Sequence, residues 1–279
     1  MDEENYVLES PTNIYTITKV LGGTDSFNLY LCQVGTGQQF ILKIATSVAE
    51  NGVLDREAVL LGDMREEATR LEEEYARVTQ DPNKALNYQL CFWELVESFI
   101  SSTQGNRRVN ILGYPAVDDL STLVPVGHIT SRDCVRVDPK TSAWMLGKLL
   151  KLLVFLHSQN ISLGPHVTGE NILIERHEHY VIVFDLTGAV FHSEGIPQEI
   201  AREEISQAAR EVIYVLGGDP DMGVLPKDEQ DADGRYANYV LGLARGGECD
   251  AKEAHAKFYE LVRSLWPREY WPFTSHPLN

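Results

Sequence analysis

The chain is poor in cysteine. Its 279 residues include four, Cys32, Cys91, Cys134 and Cys249, far apart and in no CxxC spacing or partnership with paired histidines. That argues against a zinc site and reads as buried free thiols in a reducing compartment. Basic residues are also scarce: 24 Lys and Arg stand against 41 Asp and Glu, a net charge of −17. Such a surface repels nucleic acid and anionic lipid and leaves basic or small-molecule partners. No apolar run reaches the ~20 residues of a membrane span. The opening stretch MDEENYVLES has neither the basic start nor the apolar centre of a secretory leader. Internal repeats and low-complexity tracts are missing as well. These absences predict a soluble, cytoplasmic protein with no nucleic-acid or membrane partner.

What is present begins with 43% hydrophobic residues, enough for a sizeable core in a two-lobed domain. Residues 14–45 alternate as IYTITKVL, FNLYLCQV and QQFILKIA, broken at Gly22–Ser26 and Gly35–Gln38. This predicts three antiparallel strands joined by tight turns. From 54 to 79 the period changes: Leu54, Ala58, Leu61 and Met64, then Ala68, Leu71 and Tyr75, recur at helical spacing opposite a charged, solvated face. Residues 88–114 return to strand character around the turn Gln104–Arg107. Residues 142–158 form an apolar helix, NILIE and YVIVFD are two short strands around His177–His179, and helices follow at 199–216 and 251–265. The change from strand-rich to helix-rich near residue 115 predicts lobes at 1–114 and 115–279.

Several of these segments carry charged or amide side chains at particular places. FILKIA sets Lys43 in the third strand, and Glu57 lies 14 residues on, at the start of the first helix. ENILI and VFD set Asn171 and Asp185 14 residues apart, on either side of the second pair of strands. In this order the segments resemble the protein-kinase fold over about residues 10–270. FILKIA is similar to the kinase strand whose lysine holds the α- and β-phosphates, and Glu57 to the helix glutamate that holds the lysine, with Glu66 and Glu67 as the next candidates. Residues 149–189 follow the kinase succession of helix, catalytic loop, two short strands and metal-binding turn. The resemblance is closest to stand-alone bacterial kinase-like proteins, through DPKTSAWM, LGGDPDMGVLP and LWPREYWPF. It implies an α+β fold. A small antiparallel-sheet lobe with one helix would be followed by a mainly helical lobe, both in a single kinase-like domain over 1–279. It also implies that ATP and Mg²⁺ are the cofactors. Gly22, Gly23, Lys43, Glu57, Gly113 and Tyr114 are the implied nucleotide-binding residues, and Asn171 and Asp185 the implied metal ligands.

The pattern breaks where the chemistry would occur. The kinase stretch HRDLKPEN aligns with residues 164–171, so His166 stands in place of the catalytic aspartate and Gly164 in place of the preceding histidine. Histidine is able to act as a general base, but beside Mg²⁺ its charged form is disfavoured, and a hydrogen-bonded structural role is the other reading. DFG becomes Asp185-Leu186-Thr187, losing a glycine where kinases switch. Gly22-Gly23 is followed by Asp25, where phosphate oxygens would lie, and a plain β-turn explains it equally well. With Leu112 as gatekeeper, Pro115 falls where a backbone N–H would bond adenine, and proline has none. Glu204 comes only 19 positions after Asp185, a short activation segment. The expectation is a pseudokinase: a nucleotide-binding regulatory or interaction module in signalling, working with a protein partner and without efficient protein phosphorylation. Two alternatives stand beside it, an atypical kinase-fold transferase using ATP and Mg²⁺ on a small or unusual acceptor, and a scaffold that holds no nucleotide.

Overall fold

Alternating side chains and a single helical stripe build the first half of the chain. The computed structural model describes residues 6–80 and 85–278; the acidic first five residues of the opening stretch lie outside them. The chain divides into two compact units at Ser121/Thr122, where the sequence reading put the lobe boundary at 114/115.

The first unit holds strands β1 (Val7–Glu9), β2 (Ile14–Gly23), β3 (Phe27–Gln33) and β4 (Gln39–Ala45), helix α1 (Asn51–Thr79), and strands β5 (Glu94–Ser101) and β6 (Arg107–Gly113). All six strands form one antiparallel sheet in the order β1-β2-β3-β4-β6-β5. Strand β1 is an addition to the sequence reading. The two-residue period of β4 sends Phe40, Leu42 and Ile44 to one face, into a core with Leu8, Tyr15, Cys32, Val109 and Ile111. It sends Ile41, Lys43 and Ala45 to the other. On α1 the buried stripe is Leu54, Glu57, Leu61, Met64 and Ala68, so Glu57 rather than the half-buried Ala58 takes the position between the leucines.

The sheet curls until its two edges meet. The join is the Glu97 carboxylate of β5, whose Oε1 accepts from Thr12 Oγ1 (2.5 Å), Tyr15 Oη (2.6 Å), Ser10 Oγ (3.1 Å) and Asn13 Nδ2 (3.3 Å). Curling covers an edge that would otherwise present unpaired backbone groups.

The second unit is ordered around one apolar helix. Strand β7 (Val124–Pro125), the short helix α2 (His128–Ser131) and strand β8 (Val135–Val137) lead to α3 (Pro139–Ser158). The sequence DPKT starts α3 three residues earlier than its apolar period does: Asp138 caps it by accepting from Thr141 N at 2.7 Å, with Pro139 in the first turn. Helix α3 is buried on most sides, from Met145 through Leu156. After it come β9 (Ile161–Ser162), β10 (Ile172–Glu175), β11 (Tyr180–Val183), β12 (Val190–Phe191), α4 (Gln198–Val215), α5 (Arg235–Ala244), α6 (Ala251–Leu265) and β13 (Ser275–Pro277). Strands β11-β10-β7 form a small sheet, β12 pairs β9, and β13 pairs β8. Helix α5 and the β8–β13 pairing are absent from the sequence reading. One expectation is corrected: Cys134 is exposed, not buried, because the chain turns there through a positive φ of 52° just before β8. Cys249 is only half-buried. Among the described residues no helix is long and apolar enough to cross a membrane.

The Glu97 join has a pH signature. Burial raises the carboxyl, and the four donors, Thr12 first, outweigh it and hold the group below its usual value. Its contribution is therefore full above the unfolded carboxylate value near ~4.3 and is lost as pH falls through the lower folded value. Thermal melts from pH 7 downward should show Glu97→Gln less stable than the parent at neutral pH and flatter below about pH 4. An acid limb identical in the two proteins contradicts this account of the join.

Candidate functional site

In the first unit, strand β4 and helix α1 bring together the two residues that their strand-then-helix placement pairs. Lys43 Nζ lies 2.5 Å from Glu57 Oε1, and both side chains are almost wholly buried (0% and 1% exposed). Glu66 and Glu67 are not the partner. The other carboxylate oxygen, Oε2, accepts from Asn110 Nδ2 at 3.3 Å, and the same amide donates to the carbonyl of Leu54 at 2.9 Å. Asn110 Oδ1 in turn accepts from Ser98 Oγ at 2.7 Å. The ion pair is thus the centre of a buried network joining β4, α1, β6 and β5. The Phe27 ring covers the ammonium, with its centroid 4.6 Å from Nζ, a cation–π contact. Neither Phe27 nor Asn110 figures in the sequence reading, although a lone amide inside the apolar run VNILG is a readable signal.

The turn carrying Gly22 and Gly23 closes on itself. Thr24 N donates to Phe27 O at 2.8 Å, and Thr24 Oγ1 accepts from Ser26 N (3.2 Å) and Phe27 N (3.3 Å). Gly22 has φ +131°, and a side chain at Gly23 would meet Phe27 O at 2.7 Å; the glycines serve the turn. Gly113 ends β6, where Val96 and Phe40 press close. The Tyr114 side chain is buried in the unit's own packing: its hydroxyl donates to Leu90 O at 2.8 Å and its ring meets Trp93 edge-on.

In the second unit the segment between α3 and α4 is tied by side chains at every turn. Glu204 of α4, fully buried, accepts from Gly164 N at 2.6 Å and pairs with His157 Nε2 at 2.7 Å. Asn171 uses its whole amide: Nδ2 donates to His166 O (3.0 Å) and Asp185 O (2.9 Å), and Oδ1 accepts from Asp185 N (2.6 Å). Asn171 and Asp185 therefore do meet, through the backbone of Asp185. The Asp185 carboxylate accepts from Thr187 N (3.1 Å) and Thr187 Oγ1 (3.0 Å). Thr187, read from sequence only as a lost glycine, is a hydroxyl cap on the carboxylate.

His166 sits in a short 3-10 turn over Gly164–His166. Its imidazole lies against Gly188 so closely that a β-carbon there would stand 1.9 Å from His166 Nε2. The ring fills the place a side chain at 188 would occupy, which locks the loop bearing His166 to the turn following Asp185.

The donors can be weighed against the implied cofactor. Among the described residues no group of three or more His, Cys, Asp or Glu is placed to hold a metal. One carboxylate, Asp185, and one amide oxygen already accepting a hydrogen bond are too few for bare Mg²⁺. They fit an ion that arrives with phosphate oxygens and keeps several waters.

No family model matches the chain, and no curated protein does. Solved structures match it. One, described as the structure of vaccinia related kinase 3, superposes with a TM-score of 0.61 at 15% identity, covering 94% of this chain and 91% of that one. At that identity the likeness is one of fold. The chain has the two-lobed, kinase-like α+β architecture: a curled antiparallel sheet with one helix, followed by a mainly helical unit.

Two variant sets probe these contacts. Removing one member of a buried ion pair strands the other charge, at a cost of about 3–5 kcal/mol, whereas replacing both by apolar groups of similar volume restores much of it. Lys43→Met should therefore be strongly destabilised in denaturant melts, and Lys43→Met/Glu57→Leu should recover. Additive losses would mean the two groups do not depend on one another. Gly188→Ala should cost about 1–3 kcal/mol by overpacking His166, and adding His166→Ala should relieve most of that. No relief in the double variant would remove His166 from the Gly188 seat.

Proposed function

We propose that this protein is a pseudokinase: a kinase-fold module that acts by binding, with a protein as its partner, and does not transfer phosphate efficiently. The observation that carries this reading is the seat of His166 against Gly188. Phosphoryl transfer by this fold uses a carboxylate at that place to orient the acceptor hydroxyl and take its proton. Here the position holds an imidazole engaged in packing two loops together. A group held in that way is poorly available to receive an incoming hydroxyl. The excess of acidic side chains, net −17, favours a partner whose contact face is basic.

A second reading, that the module holds a nucleotide, is favoured by the buried Lys43–Glu57 pair. Buried ion pairs are weak contributors to stability, since apolar residues of like volume serve as well, so a lysine kept charged in that position points to a phosphate ligand. Lys43 would neutralise phosphate charge, and Asp185, with Asn171, would hold an Mg²⁺ brought by the triphosphate; when bound, the ion shields the phosphate oxygens.

The two readings are tested together. MgATP at roughly 100 times its dissociation constant should stabilise the protein by about 2.7 kcal/mol, a shift of about 2–4 °C per kcal/mol in a domain of this size. Mg²⁺ alone should give none, and Asp185→Asn should lose the nucleotide effect. No shift at millimolar MgATP would remove the nucleotide reading and leave an interaction scaffold. His166→Asp, assayed with labelled γ-phosphate, should create or raise transfer. Robust transfer by the parent, to protein or to a small acceptor and abolished by Asp185→Ala, would replace the pseudokinase with an atypical transferase.

A further inference from the structure

The second unit contains a cavity of about 250 Å³ between α3, α6 and the segment that follows α6. Its floor is apolar: Ala143 and Gly147 of α3 face Phe258 and Val262 of α6, all buried. The indoles of Trp144 and Trp271 are among its lining side chains, and Trp144 is stacked on His179 with ring centroids 4.4 Å apart. Apolar, aromatic lining with a few polar groups at the edge is the usual make-up of a small-molecule site, and this volume lies just below the usual ~300–1,000 Å³ range. The occupant it fits is correspondingly small.

The rim decides the charge of that occupant. Lys148, Arg263 and Arg268 border the cavity, and among the described residues none of the three has a carboxylate within salt-bridge reach. The one acidic residue on the rim, Glu269, is engaged by Lys140 at 3.7 Å. In a chain with 41 acidic and 24 basic residues, three neighbouring cations left without an anion form a local inversion of the protein's charge. Acceptors are short here in a second way: the indole N–H groups of Trp144 and Trp271 are buried without a hydrogen-bond partner. The surroundings of the cavity thus hold donors and cations in excess over acceptors.

We propose that this cavity binds a small aromatic carboxylate, its flat body on the apolar and indole lining and its carboxylate at the Lys148–Arg263–Arg268 rim. Arginine's planar fork suits a carboxylate, and its charge is permanent. The indole faces suit a flat apolar body. The site lies wholly within the second unit and is independent of the nucleotide reading, since Lys43, Glu57, Asn171 and Asp185 take no part in it.

The test uses the full chain and indole-3-acetate as probe, with indole-3-acetamide as its uncharged counterpart, read by isothermal titration. Saturable one-to-one binding of the acid, and weaker binding of the amide, is expected. The exposed arginines permit substitution with little risk to folding. Arg263→Gln/Arg268→Gln should lower affinity for the acid by roughly tenfold or more, as loss of two charge-assisted hydrogen bonds implies, and leave the amide unaffected. Asp185→Asn, which should lose the nucleotide effect, should bind the acid as the parent does. Equal affinity for acid and amide, or unchanged acid affinity in the double glutamine variant, would overturn the assignment of the rim. Absence of binding by either probe at millimolar concentration would overturn the site.

Discussion

Two opposite charges, Lys43 and Glu57, are held almost out of contact with water, and the first unit is arranged so that this is tolerable. Each would be costly to bury alone. Together they require a strand and a helix at fixed separation, so the pair sets where α1 lies against β4. The remaining carboxylate oxygen is answered by Asn110, which also holds the Leu54 carbonyl. A polar network of this kind is stabilising only when it is satisfied throughout. The Phe27 ring, placed by the closed turn after β2, packs against the ammonium.

A related constraint governs the second unit. Between its short ladders the segment from β9 to β12 is irregular, and its backbone groups there need other partners. Side chains supply several: Glu204 accepts from Gly164 N, and the amide of Asn171 bonds His166 O, Asp185 O and Asp185 N, while Thr187 caps the Asp185 carboxylate and the His166 ring packs against Gly188. In a kinase the corresponding groups are shared with substrates and metal. Here Glu204 and Asn171 fasten one loop to another through these bonds.

Much of this was readable before any coordinates. The alternation in residues 14–45 shows three of the six strands, and the helical stripe from Leu54 onward shows α1, although it puts Ala58 where Glu57 is buried. Glu57, Asn171 and Asp185 were singled out by the resemblance to kinase motifs, not by the periodicity. Other features were not readable because nothing local encodes them. Strands β1, β8 and β13 have three residues each, too short for a period, and exist only through pairing. Helix α5 has Gly234 at its N-cap and is capped from a distance by Asp231, which accepts from Tyr236 N and Ala237 N. The identity of His166 was visible, but the closeness of its ring to Gly188 depends on two loops meeting. Asp138-Pro139 and Asp185-x-Thr187 were legible in principle as a helix cap and a hydroxyl-capped turn; the apolar period and the lost glycine drew the reading elsewhere.

The proposal is that this kinase-like fold does not transfer phosphate efficiently. It is tested most directly by following ATP itself, with no assumption about the acceptor. Phosphorus NMR of ATP and Mg²⁺ incubated with an equimolar amount of protein resolves ADP, pyrophosphate and AMP, and so reports phosphoryl and nucleotidyl transfer alike. The account predicts an ATP spectrum that stays unchanged beyond the protein-free control over many hours. Protein-dependent growth of ADP or pyrophosphate that Asp185→Ala abolishes would contradict it.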